Sequence, residues 1–243
     1  MKTKSIYKNI LASVHLKERL LAVLVDPDKF CVEKTKAFFK KVNASIITHV
    51  FVGGSTVEER ATARLVEAIK QHTNLPVVLF PGDVTQISEK ADALLFLSLI
   101  SGRNPEYLIG KHIEAISKLR KINLEVLPTG YLLIESGKKT AVETVTNTKP
   151  LSRSDMQTII DTAKAGEYLG MQILYLEAGS GALQPVSKAI IALVKQDIAI
   201  PLIVGGGIKN KEQLENAYHA GADMVVIGTA FEDDESFFDE LKK

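Results

Sequence analysis

Short continuous apolar runs, rich in Val, Ile and Leu, alternate along the chain with longer segments in which apolar residues return every three or four positions. An uninterrupted apolar run is what a strand buried on both faces requires, so the pattern predicts a parallel sheet with helical crossovers. Candidate strands are Leu20 to Val25, Ile46 to Val52, Pro76 to Phe80 and Ala93 to Leu99, followed by a run from Leu124 and runs ending at Glu177, Val204 and Gly228. Amphipathic segments such as EERATARLVEAIKQ, PEYLIGKHIEAISKLR, RSDMQTIIDTAKAGEYLG, PVSKAIIALVKQ and KEQLENAYHAG lie between them, while the third crossover, Asp83 to Lys90, is short. Eight strands in this alternation favour an α/β fold of the closed (β/α)8 (TIM) barrel type, with an open doubly wound sheet as the alternative. No linker divides residues 1–243, which read as a single domain with one polar excursion at about 135–154, after the fifth strand. That excursion is either a lid or a plain surface loop.

Length agrees, since closed barrels reach roughly 250 residues as one unit. The 243 residues are 46% hydrophobic and 24% charged with a net charge of +1, so no global field attracts nucleic acid, and any anionic ligand must be held locally. The one cysteine, Cys31, excludes an internal disulfide and a multi-cysteine zinc site. His15, His49, His72, His112 and His219 have no partner at metal-ligand spacing. The apolar stretch of MKTKSIYKNILASVHLK is broken by polar residues, and no run reaches the ~18 apolar residues of a membrane span. A cytoplasmic protein is expected, neither exported nor membrane-spanning.

In a barrel the chemistry gathers at the carboxyl ends of the strands. Unusual residues collect there: Asp26 after the first, Gly53, Gly54 and Ser55 after the second, Pro81 and Gly82 after the third, and YLEAGSG, Tyr175 to Gly181, at the sixth. Gly205, Gly206 and Gly207 follow the seventh, and Gly228 and Thr229 the eighth. Glycines let backbone amides approach an anion, and barrels often hold phosphate between strands seven and eight, so these last loops read as a phosphate site or simply as tight turns. Strand alternation puts Tyr175 and Glu177 on one face, where Glu177 either takes a proton from a hydroxylated substrate or closes a barrel layer through an ion pair. Asp26 is either a helix N-cap with Pro27 at the first helical position or a magnesium ligand. Ser55 is either a second ligand or the N-cap of the following helix, with Glu58 completing a capping box.

The motifs VDPDK, FVGGS, YLEAGSG, VGGGI and the closing GT, in this order and spacing, resemble geranylgeranylglyceryl phosphate synthase over nearly the whole chain. The resemblance implies a prenyltransferase that joins the 3-hydroxyl of sn-glycerol 1-phosphate to a long prenyl diphosphate, with Mg2+, giving an ether-lipid precursor and diphosphate. Carried over by motif, Asp26 and Ser55 would hold the metal. Tyr175, Leu176, Glu177, Ala178, Gly179, Ser180 and Gly181 would form the glycerol-phosphate loop, and Gly206, Gly207, Gly228 and Thr229 the phosphate cradle. Leu24 stands where one branch of the family has lysine, and Thr229 where it has asparagine. The resemblance also implies a homo-oligomer, dimer or hexamer, and substrates that live in bilayers imply transient contact with a membrane surface. Two other readings remain: a phosphosugar isomerase or glycerol-phosphate lyase barrel, which needs a second acid/base opposite Glu177 and no metal, and a non-catalytic phosphate-binding barrel.

Overall fold

The computed structural model describes residues 5–58, 60–233 and 236–242. Eight parallel strands, β1 (Leu20–Val25), β2 (His49–Val52), β3 (Val77–Leu79), β4 (Ala93–Ser98), β5 (Glu125–Leu133), β6 (Ile173–Glu177), β7 (Leu202–Gly205) and β8 (Met224–Ile227), pair in sequence order. The ring closes where Leu20 to Val23 of β1 lie beside Met224 to Ile227 of β8, which excludes the open sheet. Alternation along each strand makes two apolar layers. Phe51, Val78, Leu95, Leu127, Tyr175, Ile203 and Val226 fill the barrel, whereas Val50, Leu94, Leu132, Leu174 and Leu176 point outward against the helices.

The helices are α1 (Ile6–His15), α2 (Thr35–Asn43), α3 (Ala61–Lys70), α4 (Lys111–Leu119), α5 (Ala141–Thr146), α6 (Met156–Tyr168), α7 (Lys188–Asp197), α8 (Lys211–His219), α9 (Thr229–Asp233) and α10 (Phe237–Glu240). The broken apolar stretch near the N-terminus is α1, which plugs the barrel bottom by packing Ile6 and Ile10 against the interior. Glu125 at the start of β5 anchors it, accepting from the Ser5 hydroxyl at 2.6 Å and the amides of Ile6 and Tyr7 at 2.6 and 3.1 Å. A carboxylate on the first free amides of a helix satisfies donors that the helix cannot and complements its dipole.

Two elements start later than their sequence signals indicate. The segment after Asp26 forms a turn, with the amides of Lys29 and Phe30 reaching the Asp26 carbonyl at 3.2 and 2.9 Å, and α2 begins only at Thr35. Asp26 is therefore not a helix N-cap. The capping box of Ser55 and Glu58 is likewise absent, because Arg60 takes the left-handed conformation (φ 67°) and α3 starts at Ala61. The amide of Glu58 is bonded instead to the carboxylate of Asp28 at 3.0 Å.

Strand two is shorter than its apolar run. The Ile46 amide bonds to Leu241 of the C-terminal segment, and the barrel ladder begins at His49. Strand five runs past Gly130 to Leu133. The segment PEYLIGKHIEAISKLR opens with a π-helical turn, Glu106–Gly110, whose Tyr107 and Leu108 carbonyls accept from the Leu99 amide and the Ser98 hydroxyl at the end of β4. The third crossover is a single 3-10 turn, Val84–Gln86, where every other crossover carries an α-helix.

Candidate active site

The loops at the carboxyl ends converge. Ser180 Oγ and Thr229 Oγ1 lie 3.2 Å apart, joining the loop after β6 to the start of α9. Gly206 packs so tightly on this loop that a Cβ there would run into Glu177 Oε1 and stand 2.6 and 2.8 Å from the amide nitrogens of Gly179 and Ala178. Its φ of +84° and the +72° of Gly207 lie in the left-handed region, so glycine is needed there both for backbone shape and for space. Gly179, at φ +97°, presses on Thr140 of the 135–154 segment in the same way.

Of the residues singled out from sequence, Asp26, Ser55, Tyr175, Glu177, Ser180, Gly181, Gly206, Gly207, Gly228 and Thr229 all line one cavity of about 490 Å3. Leu176, Ala178 and Gly179 do not; the side chains of Leu176 and Ala178 are buried in the layer between sheet and helices.

Glu177 ends β6 facing inward and is 5% exposed. Burial pushes its carboxyl up to about 7, opposed by the Gly179 amide, which donates to Oε1 at 2.5 Å, and by the Tyr175 phenol. The group therefore changes charge near neutrality. Tyr175, fully buried, stands beside it: a Cβ on Gly205 would touch both the phenol and Glu177 Oε2. The Tyr175 hydroxyl makes no hydrogen bond of good geometry, and burial and the neighbouring carboxylate hold its ionisation well above the usual range. It is a proton donor awaiting an acceptor.

Beneath the polar mouth lies an aromatic cluster that the sequence did not single out. The rings of Phe80 and Tyr175 stack at 5.2 Å, and Tyr131 packs on them at 5.9 and 5.4 Å. From here the cavity continues as an apolar arm past Val84, Ile87, Leu94, Phe96 and Ala115. Leu94 and Ala115 belong to the layer outside the barrel wall, so this arm occupies the place that a helix in the third crossover would fill. Val142 and Val145 of α5 and Tyr107 of the π turn cover it, tied together by the Tyr107 hydroxyl on the Val145 carbonyl (3.2 Å) and Asn104 on that of Thr146 (2.8 Å).

Asp26 meets Lys29 at 3.3 Å, so its carboxylate already faces a cation, and its donor set with Ser55, a carboxylate and a hydroxyl, is one that suits a hard divalent ion. Among the described residues there is no group of three or more His, Cys, Asp or Glu that could hold a metal. A metal at Asp26 would take its remaining ligands from water and substrate, which is the usual mode for magnesium. Three lysines line the cavity: Lys29, Lys111 and Lys209. Lys111 is committed to Asp83 at 2.9 Å and Glu114 at 3.1 Å, and Lys29 to Asp26.

Glycine-rich loops, a buried carboxyl raised to about 7 and an apolar arm share one barrel mouth, the layout of an enzyme site for an amphiphilic substrate pair. The chain belongs to the PcrB family, whose model matches residues 14–243. A geranylgeranylglyceryl phosphate synthase of Zunongwangia profunda is 56% identical over 226 residues, 93% of this chain and 96% of that protein. Another, of Pyrococcus furiosus, is 42% identical over 93% of this chain and 90% of its own length. The crystal structure of (S)-3-O-geranylgeranylglyceryl phosphate synthase from Thermoplasma acidophilum in complex with its substrate sn-glycerol-1-phosphate superposes with a TM-score of 0.91. It is 32% identical, covering 97% of this chain and 95% of that one.

Proposed function

We infer that the protein is a prenyltransferase that joins the 3-hydroxyl of sn-glycerol 1-phosphate to C1 of geranylgeranyl diphosphate. The observation that carries this reading is that the glycine loops, Glu177 and the apolar arm line one continuous cavity. An isomerase or lyase barrel has no use for the apolar arm past Val84, Ile87, Leu94, Phe96 and Ala115.

The glycerol phosphate sits in the cradle of Gly206, Gly207, Gly228 and Thr229, held by backbone amides and the Ser180 and Thr229 hydroxyls. Its 3-hydroxyl faces Glu177, which accepts the proton as the oxygen forms its bond to C1 and the C1–diphosphate bond breaks. Tyr175 orients the hydroxyl. Phe80, Tyr131 and Tyr175 present ring faces to the positive charge that develops on the allylic carbon. Asp26 and Ser55 would hold Mg2+, which when bound would neutralise charge on the leaving diphosphate.

The tail lies in the arm over β3 and β4. Twenty carbons at about 0.8 kcal/mol each give roughly 16 kcal/mol of gross transfer free energy, far above useful net affinity, so an arm only partly closed suits turnover. Among the described residues no helix is long and apolar enough to cross a membrane, and a prenyl donor of this length, itself resident in bilayers, would be met at a bilayer surface. Incubation with labelled sn-glycerol 1-phosphate, a series of prenyl diphosphates and Mg2+ tests the activity. Label should move into the organic phase, and label that stays aqueous with every donor refutes the assignment.

A further inference from the structure

The loop that carries Ser55 is gripped by a residue of the short third crossover. Gln86 is 2% exposed, its Nε2 donates to the Gly54 carbonyl at 2.8 Å, and its Oε1 accepts from the Gly54 amide at 3.3 Å. A carboxamide bonded to both polar atoms of one residue fixes the position and tilt of the adjoining peptides. Two further surfaces confine the same stretch. A Cβ on Gly54 would stand 2.8 to 3.1 Å from the carboxyl atoms of Asp26, and one on Gly82 would stand 2.6 and 2.7 Å from the carbonyl oxygens of Gly54 and Ser55. The segment is closed in by Asp26, Gly82 and Gln86, and of these only Gln86 holds it through directed hydrogen bonds.

We propose that Gln86 is a positioning residue for the divalent cation: by fixing the Gly54 peptides it sets the separation between the Ser55 hydroxyl and the Asp26 carboxylate. The inference rests on the reading of Asp26 and Ser55 as metal ligands. A site with two protein ligands depends on their being placed in advance, because its other ligands arrive with solvent and substrate, and residues that orient ligands typically govern metal affinity by about 10- to 100-fold. A purely structural Gln86 would instead affect the fold and every ligand alike.

The test is calorimetric binding of Mn2+ in the presence of inorganic pyrophosphate, with sn-glycerol 1-phosphate binding measured on the same samples. Gln86→Met, which keeps the side-chain length and removes both hydrogen bonds, should weaken Mn2+ at least tenfold while glycerol-phosphate affinity stays within about twofold. Should that variant not fold, Gln86→Asn, one methylene too short to reach Gly54, is expected to give the same split. Asp26→Asn separates the two levels of the claim. If it weakens Mn2+ tenfold or more and the Gln86 variants change it less than threefold, or change both ligands equally, the positioning role is overturned while the metal site stands. If Asp26→Asn leaves Mn2+ binding intact, the metal assignment itself fails.

Discussion

Glu177 Oε1 accepts the amide proton of Gly179 at 2.5 Å, so the carboxylate proposed to face the reacting hydroxyl also shapes the loop that delivers Ser180 to Thr229. Gly206 packs against the same oxygen. Glu177, the loop after β6 and the turn at Gly206 are thus one mechanical unit.

Glu177→Gln keeps an oxygen for the Gly179 amide and removes only the capacity to take a proton. Single-turnover ether formation at saturating substrates should fall by about 100- to 10,000-fold with sn-glycerol 1-phosphate binding retained. A loss below about tenfold would reduce Glu177 to orienting the hydroxyl. In the unaltered enzyme the single-turnover rate should rise with pH and level off above about 7, as Glu177 ionises, and this limb should vanish in the variant.

The same carboxyl leaves a signature in stability. Its folded value of about 7 lies above the 4.5 of an unfolded glutamate, so its contribution is fully present below pH 4.5 and is lost as pH rises through 7. Relative to the unaltered protein, Glu177→Gln should therefore gain about 3 kcal/mol between pH 4 and pH 8, read from urea unfolding. No change in the difference between the two proteins over that range would show that Glu177 is not held in a desolvated site.

His49 works in the opposite direction. It is buried in the lower barrel beside Thr48, whose hydroxyl donates to the Leu21 carbonyl at 3.0 Å and so accepts the His49 Nδ1 proton at 2.8 Å. Burial holds the imidazole down at about 4, against 6.5 when unfolded, so it is neutral in the fold. Its contribution is present above pH 6.5 and lost as pH falls through 4, an effect of about 3 kcal/mol. His49→Gln should flatten the pH dependence of unfolding between 4 and 6.5 with no change in the pH profile of catalysis.

Gly206→Ala places a methyl group against Glu177 and the Gly179 and Ala178 amides, at a φ of +84° that costs an L-residue about 1–2 kcal/mol. sn-Glycerol 1-phosphate affinity should fall by more than tenfold in an otherwise folded barrel, measured by calorimetry. Affinity within threefold would place the phosphate elsewhere.

What was legible in the sequence is what local pattern controls. Leu20 to Val25 and Ala93 to Ser98 are strands because strands buried on both faces read as unbroken apolar runs, and the glycines at 206 and 207 marked tight turns that take the left-handed conformation glycine favours. Residues whose role is set by what lies across the barrel stayed hidden. Gln86 sits in an unremarkable polar stretch, and its partner is 32 residues back. Phe80 and Tyr131 look like any aromatic at a strand end until the ring closes and stacks them with Tyr175. The Ser55 to Glu58 signal misled because capping chemistry is judged over four residues, while the left-handed Arg60 and the Asp28 carboxylate bonded to Glu58 decide where α3 begins. The one useful hint to the arm was the shortness of the third crossover: a missing helix leaves a slot beside the sheet.

Whether the glycine loops and the apolar arm serve one reaction centred on Glu177 is decided by a crystal structure with sn-glycerol 1-phosphate, Mg2+ and a non-transferable geranylgeranyl thiodiphosphate. In that crystal the phosphate should lie on Gly206, Gly207 and Thr229 and the tail over Leu94 and Phe96. The glycerol 3-oxygen should stand about 3–3.5 Å from C1 and within hydrogen-bond reach of Glu177. A tail that leaves the barrel by another route, or a 3-oxygen pointing away from Glu177 with C1 out of range, would contradict it.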